Sequence, residues 1–111
     1  MVNGNCKIYE NGRLKGEGEM SGLPKNPRKN GIWKEMHPNG KVASEGPYRM
    51  DKKIGKFKEY HSNGALKAEG EYMNDKKNGK WTFYKEDGKT VNPELSGSYM
   101  MDKLNKKLDM K

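Results

Sequence analysis

The chain is 111 residues long with a formal net charge of +8, and Leu, Ile, Val and Phe together supply only 14 of those residues. That share lies below the roughly 20% at which a strongly charged chain stops being able to build an ordinary aliphatic core. A thick globular interior is excluded, so a folded state must rest on the 6 tyrosines, 2 tryptophans and 14 glycines.

The chain opens on MVNGNC. Cys6 is the only cysteine, which excludes an internal disulfide framework. No apolar stretch precedes it, which argues against a lipid-linked cysteine. No apolar run reaches the roughly 18 residues of a membrane-crossing helix. The compartment stays open, cytoplasmic or exported, because an export signal can already have been removed.

Residues 5–30 form a first, atypical unit in which Ile8, Gly12, Leu14, Glu17-Gly18 and Met20 occupy slots that recur downstream, with four extra residues inside SGLPKNPRKN. Residues 31–54 and 55–78 are regular units offset by 24. Gly31 matches Gly55, Trp33 Phe57, Met36 Tyr60, Gly40 Gly64, Val42 Leu66, Glu45-Gly46 Glu69-Gly70, Tyr48 Tyr72, and Lys52-Lys53 Lys76-Lys77. Residues 79–108 repeat Gly79, Trp81, Tyr84 and Gly88. They then take three extra residues around Asn92-Pro93-Glu94 before Gly97 and Tyr99, and Lys106 replaces the glycine. Recurrence at a fixed period marks a repeat architecture, and terminal units are commonly degenerate because they cap the stack.

Each unit reads as a β-hairpin. KFKEYH ends in a turn at Ser62-Asn63-Gly64, where Asn and Gly both tolerate positive φ. In ALKAEGEYM, Leu66, Ala68, Gly70 and Tyr72 alternate with Lys67, Glu69 and Glu71, as in a strand with two unlike faces. Gly70 would let a neighbouring ring lie close over the backbone. Phe57 and Tyr60 are three apart, so either a bulge reconciles them or the sheet is apolar in part on both faces. At the C-terminus Met101, Leu104 and Leu108 fit either a short capping helix or a frayed last unit.

The instances GKFKEYHSNGALKAEGEYMNDKKNG and GKWTFYKEDGK resemble the MORN repeat, in the bacterial variant found in proteins labelled YwqK-family antitoxins. The resemblance covers roughly residues 5 to 108. It implies an all-β fold, a single-layer antiparallel β-meander of stacked hairpins, and it suggests an antitoxin that neutralises a cognate toxin by direct contact.

Two sets of side chains stand out as candidate binding residues. Lys25, Arg28, Lys29, Lys52, Lys53, Lys76, Lys77, Lys106 and Lys107 fall at the same turn of successive units and would line one edge of the sheet, with Glu10 and Glu86-Asp87 on the other. Such an edge suits an acidic partner, or serves only to solvate the turns and blunt aggregation. Trp33, Tyr48, Phe57, Tyr60, Tyr72, Trp81, Tyr84 and Tyr99 would form an aromatic face, supplying the core by cross-strand contact and leaving an exposed row for binding.

His37 and His61 occupy one slot of adjacent hairpins about 10 Å apart, too far to share a metal. No phosphate loop, nucleophile-base pair or metal cluster is visible, so neither catalysis nor a cofactor is expected. The expected function is a non-enzymatic interaction module for a protein or an anionic membrane or cell-envelope surface, lipid or glycan. Nucleic acid is disfavoured for want of a reading motif. Free strand edges leave oligomerisation open.

Overall fold

The computed structural model describes residues 2–23 and 25–107, with only the backbone of Val2, Asn3, Leu23 and residues 105–107. These form one open, all-β antiparallel sheet of consecutive hairpins. Its strands are β1 (Val2–Glu10), β2 (Arg13–Leu23), β3 (Arg28–Met36), β4 (Val42–Arg49), β5 (Lys52–Lys53), β6 (Gly55–Tyr60), β7 (Leu66–Met73), β8 (Lys76–Lys77), β9 (Gly79–Phe83), β10 (Gly97–Met100) and β11 (Lys103–Lys107). The spatial order β1-β2-β3-β4-β6-β7-β9-β10-β11 follows the chain, while β5 and β8 are short lead-ins paired to β4 and β7. Among the described residues no helix is long and apolar enough to cross a membrane, which says nothing of β-barrels. The C-terminal helix option is corrected. Met101 lies in a turn and Leu104 within strand β11, while Leu108 falls outside the described residues.

Glycine and aromatic slots face each other across the strands, and this makes the core. Trp33 pairs with Gly18 and Gly46, Phe57 with Gly70, and Trp81 with Gly97. The rings lean back over the preceding glycine. A Cβ added to Gly46 would lie 2.4 Å from Phe57 Cγ, and one added to Gly18 would lie 2.6 Å from Trp33 Cγ. Glycine is required there because any side chain would displace the ring.

Trp33, Tyr48, Phe57, Ala68, Tyr72 and Trp81 form the buried cluster, with Ile8, Met20, Phe83 and Tyr99 packed at its ends. Consecutive rings meet edge to face: Tyr48–Phe57 at 5.6 Å, Phe57–Tyr72 at 5.1 Å and Tyr72–Trp81 at 5.0 Å between centroids. Edge-to-face contact suits the ring quadrupole and adds to simple area burial. A ladder of rings thus replaces the aliphatic core that the composition lacks.

The ladder pairing shifts register at Ile8/Tyr9, Glu35/Met36 and Glu59/Tyr60. Each shift leaves one residue of the return strand (Lys15, Ala43, Lys67) without a partner, a β-bulge repeated once per hairpin. Alternation from Phe57 therefore carries Tyr60 to the other face, where it pairs with Leu66. The bulge does not gather Phe57 and Tyr60 together, and the sheet is apolar in part on both sides.

Two of the three Asn-Gly turns also differ from expectation. Gly64 has a φ of 93° and Gly40 one of 89°, but Asn39 and Asn63 are not left-handed. Pairs of left-handed residues occur in the first Asn-Gly turn, at Asn11-Gly12 (φ 52° and 77°), and in the turns of the other edge, at Met50-Asp51 (49° and 71°), Asn74-Asp75 (48° and 73°) and Met101-Asp102 (51° and 73°). Such a pair is the signature of a type I′ turn, whose twist matches that of the flanking strands.

Candidate functional site

The type I′ turns at Met50-Asp51, Asn74-Asp75 and Met101-Asp102 stack along one edge and are stitched to one another. The Asp51, Asp75 and Asp102 carboxylates accept from the amides of Lys29, Lys53 and Lys77 at 2.7, 2.8 and 2.7 Å. The amides of the same aspartates donate to the carbonyls of the same lysines at 2.9, 3.0 and 3.0 Å. Each turn thereby fixes the backbone of the preceding basic pair.

This geometry divides the basic residues in two. Lys29 Nζ sits 5.1 Å from the centroids of both Trp33 and Tyr48. Lys53 Nζ lies 5.6 Å from Phe57 and 4.9 Å from Tyr72, and Lys77 Nζ 5.5 Å from Trp81. These three lysines are half-buried caps on the ring ladder, held by cation–π attraction. The expectation that they belong to a solvated edge is corrected. Lys25, Lys52 and Lys76 are exposed at the edge, joined by Arg49 and Lys103, while Arg28 is half-buried and pairs with Asp51 at 3.5 Å. Lys106 and Lys107 are placed within β11, opposite Ser98 and Gly97, and not in the turn.

The same edge carries an apolar feature that the sequence reading passed over. Met50, Met73, Met100 and Met101 are 51%, 52%, 61% and 52% exposed, at or beside the turn tips. A lysine follows them on each turn, and Arg49 precedes Met50 on the first. The signal was present in the sequence as methionine recurring beside Asp-Lys.

The opposite edge is stitched by other means. His37 Nε2 lies 2.8 Å from the Tyr60 carbonyl and His61 Nε2 3.1 Å from that of Tyr84. Asn39 and Asn63 donate to the carbonyls of Ser62 and Glu86. The two histidines are hairpin-to-hairpin links in equivalent slots. Among the described residues no group of three or more His, Cys, Asp or Glu is arranged to hold a metal. Arg13, Lys41, Lys85 and Lys89 accompany Glu10, Glu86 and Asp87 here, so this edge is mixed in charge and not the acidic one expected.

Of the predicted aromatic face, the structure brings together Trp33, Tyr48, Phe57, Tyr72 and Trp81, with Tyr99 at the end. Tyr60 and Tyr84 are not among them; Tyr84 donates to Glu69 on the other face at 2.8 Å. The assembled rings are core and leave no open stacking row. Tyr48 and Tyr72 turn their hydroxyls to Glu35 (2.6 Å) and Glu59 (2.9 Å). Burial first, and then these carboxylates, push both phenols well above the usual tyrosine range.

Comparison with known proteins bears on the two regular hairpins. Residues 29–50 and 53–74 match the MORN repeat variant. No curated protein matches the chain. MORN repeats are in general protein- or membrane-interaction modules. The two matched segments begin at Lys29 and Lys53, so each matched segment spans a ring-capping lysine and ends at the next type I′ turn.

Proposed function

We propose that this chain is a non-enzymatic interaction module whose lysine-turn edge docks on an anionic membrane or cell-envelope surface. The observation that carries the reading is the pairing of exposed Met50, Met73, Met100 and Met101 with Arg49, Lys52, Lys76 and Lys103 along a single edge. Cations near an anionic bilayer contribute about 1 kcal/mol each. Methionine side chains add burial in the headgroup region, and their flexibility fits an irregular surface. Asp-anchored type I′ turns hold these groups in line, with neighbouring units about 10 Å apart. The resemblance to YwqK-family antitoxins supplies the alternative of an acidic toxin docking on this edge.

Co-sedimentation with vesicles separates the two. Binding to vesicles rich in phosphatidylserine or phosphatidylglycerol is expected, with little binding to neutral phosphatidylcholine and release at high salt. Lys52→Glu/Lys76→Glu/Lys103→Glu should abolish it, and Met50→Asn/Met101→Asn, which copy the residue present at Asn74, should weaken it. Equal binding to neutral and anionic vesicles, or none to either, would sink the membrane reading. Suppression of a co-expressed toxin encoded nearby would then favour the alternative.

A further inference from the structure

The sheet face opposite the ring ladder carries two rows that the proposed function leaves unused. Register defines the first: Lys7, Glu17, Lys34, Glu45, Lys58 and Glu69 are successive cross-strand partners over β1, β2, β3, β4, β6 and β7. The signs alternate without a break, and Lys34 Nζ lies 4.0 Å from the Glu45 carboxylate. The second row lies beyond the bulges on the same six strands, as the pairs Tyr9–Leu14, Met36–Val42 and Tyr60–Leu66. Tyr9 is 59% exposed. On the far side of the charge row, Ile32 is 51% exposed and pairs with Pro47. An open groove of about 800 Å³ runs over Ile32, Glu45, Pro47, Lys58 and Glu69.

We propose that this face is the contact surface for a second copy of the chain, packed sheet on sheet about a two-fold axis that runs along the strands between β3 and β4. The argument is one of parity. A two-fold axis in that direction reverses strand order and keeps position along each strand. Reversing six alternating charges converts every plus into a minus. Lys34 then meets Glu45 of the second copy, Glu17 meets Lys58, and Lys7 meets Glu69. The apolar row meets itself, with Met36 on Val42, Leu14 on Tyr60 and Tyr9 on Leu66, and Ile32 meets Pro47.

Aligned sheets pack about 10 Å apart with strands rotated by about 30°, a gap that opposed Lys and Glu side chains span. The apolar groups supply burial, and the charges fix register and exclude shifted pairings. A partner of uniform charge would meet as many like charges as unlike ones, so the pattern selects its own copy. Six strands at about 4.8 Å give a patch below the roughly 800 Å² per partner of a standard interface, which implies a weak dimer. The axis leaves both lysine-turn edges on the same side, so a dimer would present two edges to one surface. The proposal itself does not depend on what that edge binds.

Sedimentation equilibrium without vesicles, from about 1 μM to about 1 mM in moderate salt, is the test. The wild type should self-associate as a dimer. Lys34→Glu/Lys58→Glu and Glu17→Lys/Glu45→Lys should each be monomeric, because the four central facing pairs become like-charged and only the two outer Lys7–Glu69 pairs stay opposite. An equimolar mixture of the two should form heterodimers, because every facing pair is again opposite. Ile32→Glu, at an exposed site that the fold does not need, should also give a folded monomer and covers the case in which a charge variant fails to fold. A wild type that stays monomeric throughout, or a dimer that survives Ile32→Glu and both charge variants, would overturn the proposal.

Discussion

The indole of Trp81 rests against Gly70 so closely that a Cβ on that glycine would lie 2.2 Å from Trp81 Cδ2. The same relationship holds between Phe57 and Gly46 and between Trp33 and Gly18, one per hairpin. It explains how a chain with 14 Leu, Ile, Val and Phe residues keeps a core: each ring is packed between strand backbone and the next ring. Gly70→Ala should therefore cost about 3 kcal/mol, since the ring must leave its place. Gly40→Ala has open space and only an unfavourable φ, and should cost roughly 1–2 kcal/mol. Urea unfolding of the two variants measures the difference.

The paired lysines should separate in the same experiment. Lys53→Gln removes a cation held over Phe57 and Tyr72 and should cost about 0.5–1 kcal/mol. Lys52→Gln, at an exposed site, should leave the unfolding midpoint where it is. Vesicle binding should show the reverse order, falling with Lys52→Gln and changing little with Lys53→Gln.

Asp75 acts through both its carboxylate and its backbone. Its φ is 73°, and Oδ1 accepts from Lys53 N at 2.8 Å. Asp75→Asn keeps an acceptor and tolerates the conformation, so it should be nearly neutral. Asp75→Gly keeps only the conformation and should cost about 1 kcal/mol. Asp75→Ala loses both and should cost about 2–3 kcal/mol. Thermal unfolding of the three variants ranks them.

Stability should fall in alkali. Tyr48 and Tyr72 have folded-state pKa values raised above the ordinary 10.0, mainly by burial. Their neutral forms favour the folded chain, so this contribution is complete below pH 10. It is lost as the pH rises above 10, where only the unfolded phenols ionise. The melting temperature should drop steadily across that window, and Tyr72→Phe should show a shallower slope there despite a lower melting temperature at pH 7.

Much of this was legible in the sequence because the repeat constrains it. The recurrence of Gly31/Gly55, Trp33/Phe57 and Gly46/Gly70 implies a meander with rings over glycines, and it removes His37 and His61 as a metal pair. The fate of the lysines was not legible. Lys52 and Lys53 are alike in composition, and only the Asp75 anchor and strand alternation fold one over Phe57 and leave the other in water. Nor did periodicity locate the bulges at Lys15, Ala43 and Lys67, which lie on the return strands, while alternation from Phe57 and from Trp81 carries Tyr60 and Tyr84 to the second face. The left-handed Met50-Asp51 turn escaped notice because neither residue is glycine, whereas Asn63-Gly64 drew the reading by its stronger local signal.

The most direct test of the proposed edge-on docking is a probe of orientation. With Cys6 replaced by serine, one environment-sensitive fluorophore is attached at Met73→Cys on the lysine-turn edge and, in a second protein, at Ser62→Cys on the opposite edge. On anionic vesicles the probe at residue 73 should shift to the blue and become shielded from aqueous iodide, while the probe at residue 62 stays fully quenchable. Equal shielding at both positions, or shielding at 62 alone, would contradict docking through the lysine-turn edge.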